Sequence, residues 1–156
     1  MSQDLIIADL VVLDVDLGPT KNDVIHNLAE LVGKAGRATA SGLEADALAR
    51  EAKAATGLGG GIAIPHCRSA AVTTNSLAFA RLNPPVDFGA FDGPAAIAFL
   101  IAAADGSDDA HLALLAQLAR NLMRSEFTDG LRNATTADEI VALVNKAVTP
   151  DEAPVA

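Results

Sequence analysis

Seven consecutive apolar residues, Ile97 to Ala103 (IAFLIAA), constrain the fold more than any other stretch. A strand with one wet face alternates apolar and polar residues, and this run does not alternate. It therefore reads as a central strand covered on both faces. Carried on to Ala104 it is still far too short to span a bilayer. Leu10 to Leu13 and Ser76 to Leu82 read as further strands. Between the strands lie segments with apolar residues at helical spacing, such as Val24, Leu28 and Leu31. The alternation predicts an α/β fold: a single three-layer sandwich, a mixed β-sheet flanked by helices on both faces.

Punctuation residues set the expected boundaries. Gly18-Pro19 is a break, and Thr20 with Asp23 marks a helix start. Ser41 to Glu44 has the form of a capping box and opens a helix over Leu43 to Ala55, with Gly57 as its C′ stop. Asn83-Pro84-Pro85 ends the strand before it, and Asp92-Gly93-Pro94 is a turn. After the loop Asp105 to Ser107, Leu112, Leu114, Leu115, Leu118 and Leu122 give a helix from Asp108 to Met123 a wide apolar face. Ser125 caps a short helix ending near Asn133. Thr136 to Glu139 is a second capping box, opening a last helix. Residues 1–148 are expected to form one domain. Thr149 to Ala156, with Pro150 and Pro154, reads as a flexible tail or linker stump.

Composition narrows the function. The net charge is −9 and there is no basic run, which argues against nucleic acid and anionic membranes as partners. With no Trp or Tyr, base stacking is not an expected binding mode. The start, MSQDLIIADL, lacks the basic region of a signal peptide. One cysteine, Cys67, excludes an internal disulfide and suits a reducing cytosol, so the expected location is cytoplasmic.

The chemistry concentrates in Thr56 to Arg68, TGLGGGIAIPHCR. Gly59, Gly60 and Gly61 permit positive φ, and their N–H groups can form an anion nest. Ile62-Ala63-Ile64 reads as a short buried strand. Pro65 keeps Ile64 extended, delivering His66 to a strand end on a stiff stem. Neither a P-loop nor a dinucleotide fingerprint fits, because the lysine and the sixth-position glycine are missing. Three histidines and one cysteine show no metal-ligand spacing, so no metal is expected.

Two more residues are placed near His66 by position. His111 follows the central strand near the first turn of the next helix. If the two strands run parallel, both histidines lie at one edge of the sheet. His111 also heads an apolar stripe with Leu115, Leu118 and Leu122, so a structural role is open beside a functional one. Arg50 lies seven residues after Leu43, at the rim of its helix's packed face. It reaches toward the glycine turn or pairs with a surface carboxylate. His26 falls off its helix's apolar face and reads as a surface histidine.

The segment GLGGGIAIPH resembles the phosphorylation-site signature of enzyme IIA domains of the bacterial sugar phosphotransferase system, in the fructose/mannitol-type branch that includes nitrogen-regulatory IIA proteins. The resemblance runs from about Leu5 to Val148. It implies that His66 accepts a phosphoryl group from the phosphocarrier HPr and passes it to a cysteine on a IIB domain during sugar uptake, fructose being the expected sugar. It implies Nε2 as the attacking atom, an assisting role for His111 and phosphoryl-region support from Arg50. Relatives usually carry glycine where this chain has Cys67.

Histidine suits such chemistry. An unprotonated imidazole is available near neutral pH without metal or cofactor. Transfer passes through a loose in-line transition state, so positioning and charge do most of the work, with Arg50 or Arg68 as charge donors. A regulatory IIA acting by phosphorylation-dependent protein binding is the alternative. Two different classes are a cysteine-dependent hydrolase using Cys67 with His111 and a non-catalytic acidic binding module. Against the first, His66 and Cys67 point to opposite sides of an extended segment.

Overall fold

The computed structural model describes residues 5–106 and 108–148, with side chains at all of these except 108–112. Ser107 and the expected tail Thr149 to Ala156 lie outside the described residues. A 3₁₀ turn at Ala8–Leu10 leads into strand β1 (Val11–Val15), then helices α1 (Lys21–Lys34) and α2 (Ala40–Lys53). Three short strands follow, β2 (Gly57–Gly59), β3 (Ile62–Ala63) and β4 (His66–Ser69). Two long strands, β5 (Ser76–Val86) and β6 (Ala95–Ala104), precede helices α3 (Asp108–Leu122), α4 (Ser125–Asn133) and α5 (Ala137–Val148).

The apolar run is the middle of the molecule. Every residue from Ile97 to Ala103 is buried in β6, which only cover on both faces allows. The sheet runs β1-β5-β6-β3-β2, and β4 also pairs with β6. It is mixed, with β6 antiparallel to β5 and parallel to both β3 and β4. Phe79 and Phe99 meet edge to face across β5 and β6, with ring centres 5.1 Å apart. Helix α1 buries Val24, Ile25, Leu28, Ala29 and Val32, matching the expected periodicity. On α3, Leu114, Leu118 and Leu122 are buried.

The strand order matters for the site. Ile62 pairs with Ile97 and His66 with Ile101, four residues apart on both sides of the pairing. The segment from β3 through Pro65 to β4 therefore runs as one parallel line along β6. Main-chain bonds hold it: Ile97 N–H donates to Gly61 and Ile101 N–H to Pro65. The parallel relation on which the placement of the two histidines depends is present. His66 is the first residue of β4, and not the last of the preceding strand as expected. Among the described strands β4 pairs only with β6, and α2 packs against it.

Several boundaries differ from expectation for identifiable reasons. Thr20 forms the expected cap, accepting from Asp23 N–H while Asp23 reaches back to Thr20. The Ser41–Glu44 box does not form: α2 starts at Ala40, so Ser41 already lies inside the helix. Glu44 instead pairs with His26 of α1 at 2.7 Å, a contact between elements that no single-helix motif reports. Gly57 is not a helix stop. It sits in β2, where a side chain would meet the Phe88 carbonyl and Ala90. Asn83-Pro84-Pro85 does not end β5. The strand continues to Val86, its register shifting between Arg81 and Val86, where prolines need not donate to the ladder. The Asn83–Pro84 bond is cis. Ser125 begins α4 rather than capping it. The Thr136–Glu139 box forms as expected.

Candidate phosphoryl-transfer site

The imidazole of His66 is fixed by local backbone geometry. Pro65 is buried between Ile64 and β4, and His66 Nδ1 lies 2.8 Å from the Ile64 carbonyl oxygen. A carbonyl can only accept, so Nδ1 carries the proton and a neutral ring keeps its lone pair on Nε2. His66 is half-buried. Burial pushes its pKa below the usual histidine value, and the Arg50 guanidinium adds to this. The bond to Ile64 and the Glu51 carboxylate act in the opposite direction without reversing it. The ring is thus biased toward the unprotonated, nucleophilic form at neutral pH.

A cavity of about 870 Å³ opens beside His66. Helix α2 supplies Asp46, Ala49, Arg50 and Lys53 to its wall. Cys67 and Arg68 come from β4, Asp105 and Gly106 from the end of β6, and Leu115 from α3. Among the described residues three cations and two carboxylates line it, a local positive excess in a chain whose net charge is −9. A dianionic phosphoryl group suits that balance.

The structure brings together some of the sequence-predicted residues and separates others. Arg50 lines the cavity with His66, and its Nη1 donates to the Ala54 carbonyl at 2.9 Å. His111 lies on α3 one turn before Leu115, which lines the cavity; the His111 side chain is outside the described residues. Gly59, Gly60 and Gly61 sit elsewhere. All three have positive φ, as their sequence suggests; Gly59 ends β2, and Gly60 and Gly61 form the turn into β3. That turn is at the far end of β3. The four-residue run from Ile62 to His66 spans about 13 Å at strand rise. The Gly60 N–H donates to Asp92 at 2.9 Å, and Arg132 donates to the Gly60 carbonyl. The glycines shape the turn that starts β3 and do not line the His66 cavity.

Cys67 is 6% exposed, and burial pushes its thiol up to about 12. A nucleophilic thiol needs the reverse, so the geometry argues for a small packed residue and against a thiol enzyme. Lys53, Asp46 and Asp105 were missed in the sequence. Positions 46, 50 and 53 recur at helical spacing on one face of α2, and Asp105 follows the carboxyl end of the central strand. Those two signals were available.

A family model for the "Phosphoenolpyruvate-dependent sugar phosphotransferase system, EIIA 2" matches residues 4–147. The chain belongs to this family. Its resemblance to the IIA signature is therefore borne out over nearly its whole length. The fructose-specific EIIABC component of Bacillus subtilis is 38% identical over 128 residues, covering 81% of this chain but 20% of that protein. The nitrogen regulatory protein of Pseudomonas aeruginosa is 36% identical over 129 residues, covering 81% of this chain and 84% of that one. The solved structure of the nitrogen regulatory protein IIA-Ntr from Neisseria meningitidis superposes with a TM-score of 0.82 at 28% identity, covering 90% and 96% of the two chains. Sugar-uptake and regulatory relatives thus stand side by side. Among the described residues no helix is long and apolar enough to cross a membrane.

Proposed function

We propose that this IIA domain is a phosphocarrier that accepts a phosphoryl group from HPr on His66 Nε2 and passes it to a cysteine of a IIB domain, in the cytoplasm, during uptake of a sugar such as fructose. The observation that carries the reading is the bond from His66 Nδ1 to the Ile64 carbonyl, which assigns the lone pair to Nε2 beside a cation-rimmed cavity. In the forward step the Nε2 lone pair forms the new N–P bond. The N–P bond to the donor histidine of HPr breaks, and its electron pair returns to that ring. No metal or cofactor enters the balance. Arg50 offsets the charge on the equatorial oxygens, with Lys53 and Arg68 on the same wall. His111 acts as an assisting donor to a phosphoryl oxygen, supported by its place one turn before Leu115.

The second reading is a regulatory IIA that is charged in the same way and acts by binding other proteins. It is favoured by the Pseudomonas relative, whose length this chain covers at 84%. The two readings part at the next step. The chain is charged with phosphoenolpyruvate, enzyme I and HPr, and then mixed with a fructose-type IIB domain. Rapid appearance of phosphocysteine on IIB supports uptake. A charged chain that fails to discharge onto an active IIB contradicts it and supports regulation.

A further inference from the structure

The loop that connects α2 to β2 is tied down by one buried carboxylate. Glu51 is 4% exposed and Thr56 is 5% exposed. Glu51 Oε1 accepts from the Thr56 hydroxyl at 2.6 Å, and Oε2 accepts from the Thr56 N–H at 2.9 Å. Lys21 Nζ of α1 reaches the same Oε2 at 3.2 Å. The carboxylate is thereby matched by three donors, as a buried charge must be.

Two branches lead from this pair to the site. In the first, the Thr56 carbonyl accepts from the Ile64 N–H at 3.1 Å, and the Ile64 carbonyl accepts from His66 Nδ1 at 2.8 Å. Both groups of the Ile64 peptide chain are thus spoken for, one by Thr56 and one by the imidazole. In the second, Arg50 directly precedes Glu51 and donates to the carbonyl of Ala54, two residues before Thr56. The Gly57 N–H, one residue later, is bound by the Phe88 carbonyl, so the loop is held just beyond Thr56 as well.

We infer that Glu51 and Thr56 are a positioning pair for the site: by fixing the 54–56 loop they set both the carbonyl that orients His66 and the carbonyl that holds Arg50. The effect on phosphoryl transfer rests on His66 being the acceptor, whereas the effect on the His66 ring does not. A pair that only fills the core leaves the ring unchanged when its hydroxyl is removed. A positioning pair does not, because the Ile64 carbonyl shifts and Nδ1–H loses its fixed acceptor. The proton then distributes over both ring nitrogens, and the fraction with its lone pair on Nε2 falls.

The test uses the full chain as Thr56→Val, Thr56→Ser and Glu51→Gln. Nitrogen chemical shifts of the His66 ring report the tautomer in the uncharged protein, and the initial rate of phosphoryl gain from HPr reports function. Valine keeps the shape of threonine and lacks only the hydroxyl donor. The expected result is a mixed tautomer and about a tenfold lower rate in Thr56→Val, the same direction in Glu51→Gln, and recovery to the wild-type tautomer in Thr56→Ser. An unchanged tautomer in both Thr56→Val and Glu51→Gln overturns the inference, even if both melt earlier. A shifted tautomer in a protein whose wild type takes no phosphoryl group upholds the positioning pair while refuting the phosphocarrier reading.

Discussion

His66 Nδ1 donates to the carbonyl oxygen of Ile64, two residues earlier in the chain and 2.8 Å away. The bond crosses Pro65, whose ring restrains the backbone between donor and acceptor. The histidine therefore carries its own orienting group, and the tautomer it needs is written into the Ile-Pro-His sequence.

The pH dependence follows from the lowered pKa of His66. Burial is its main cause and the Arg50 charge a secondary one. Phosphoryl acceptance is expected to hold on the acid side down to below pH 6.5, the ordinary histidine value, and to fall as the ring protonates at lower pH. Arg50→Met removes a charge that favours the neutral ring. Its His66 midpoint, followed by NMR titration, is expected to move up, and transfer to slow. A midpoint that moves down contradicts the placement of Arg50 beside His66.

Cys67 is expected to be inert. Its thiol is pushed up to about 12, so iodoacetamide at pH 7.5 labels the native chain far more slowly than the unfolded chain. Cys67→Ala is expected to keep phosphoryl acceptance while costing about 1 kcal/mol of stability from lost packing. Rapid native labelling that abolishes activity would revive a thiol mechanism.

Thr20, which caps α1, and Ser41, which lies inside α2, predict different results. Thr20 accepts from the Asp23 N–H, whereas Ser41 is exposed within α2. Thr20→Ala is expected to cost about 1 kcal/mol by denaturant unfolding. Ser41→Ala is expected to lie within about 0.5 kcal/mol of wild type, since alanine is the better helix former. An equal loss at both positions contradicts the observed helix starts.

What the sequence made legible follows from the range of each interaction. The covered strand at Ile97 to Ala103 and the amphipathic face of α1 were readable because burial imprints a local period. The His66 stretch was readable because a glycine turn, a short strand and a proline follow one another directly. The misreadings came where distant residues intervened. Ser41 to Glu44 has the form of a capping box, but Glu44 is engaged by His26 on another helix. The glycines were placed at the phosphoryl site because they are close to His66 in sequence. An extended strand converts that closeness into separation, and Asp92 and Arg132 occupy the turn instead. Glu51 carries no local pattern that marks it as buried. Only the return of the chain at Thr56 buries it.

The most direct test of the central claim is intact mass after mixing the chain with phosphoenolpyruvate, enzyme I and HPr, run beside His66→Ala and His111→Ala. The expected result is one acid-labile phosphoryl group on the wild type, none on His66→Ala, and slower but complete gain on His111→Ala. A phosphoryl group retained on a folded His66→Ala, or no gain on the wild type with an HPr proven active, would contradict the account.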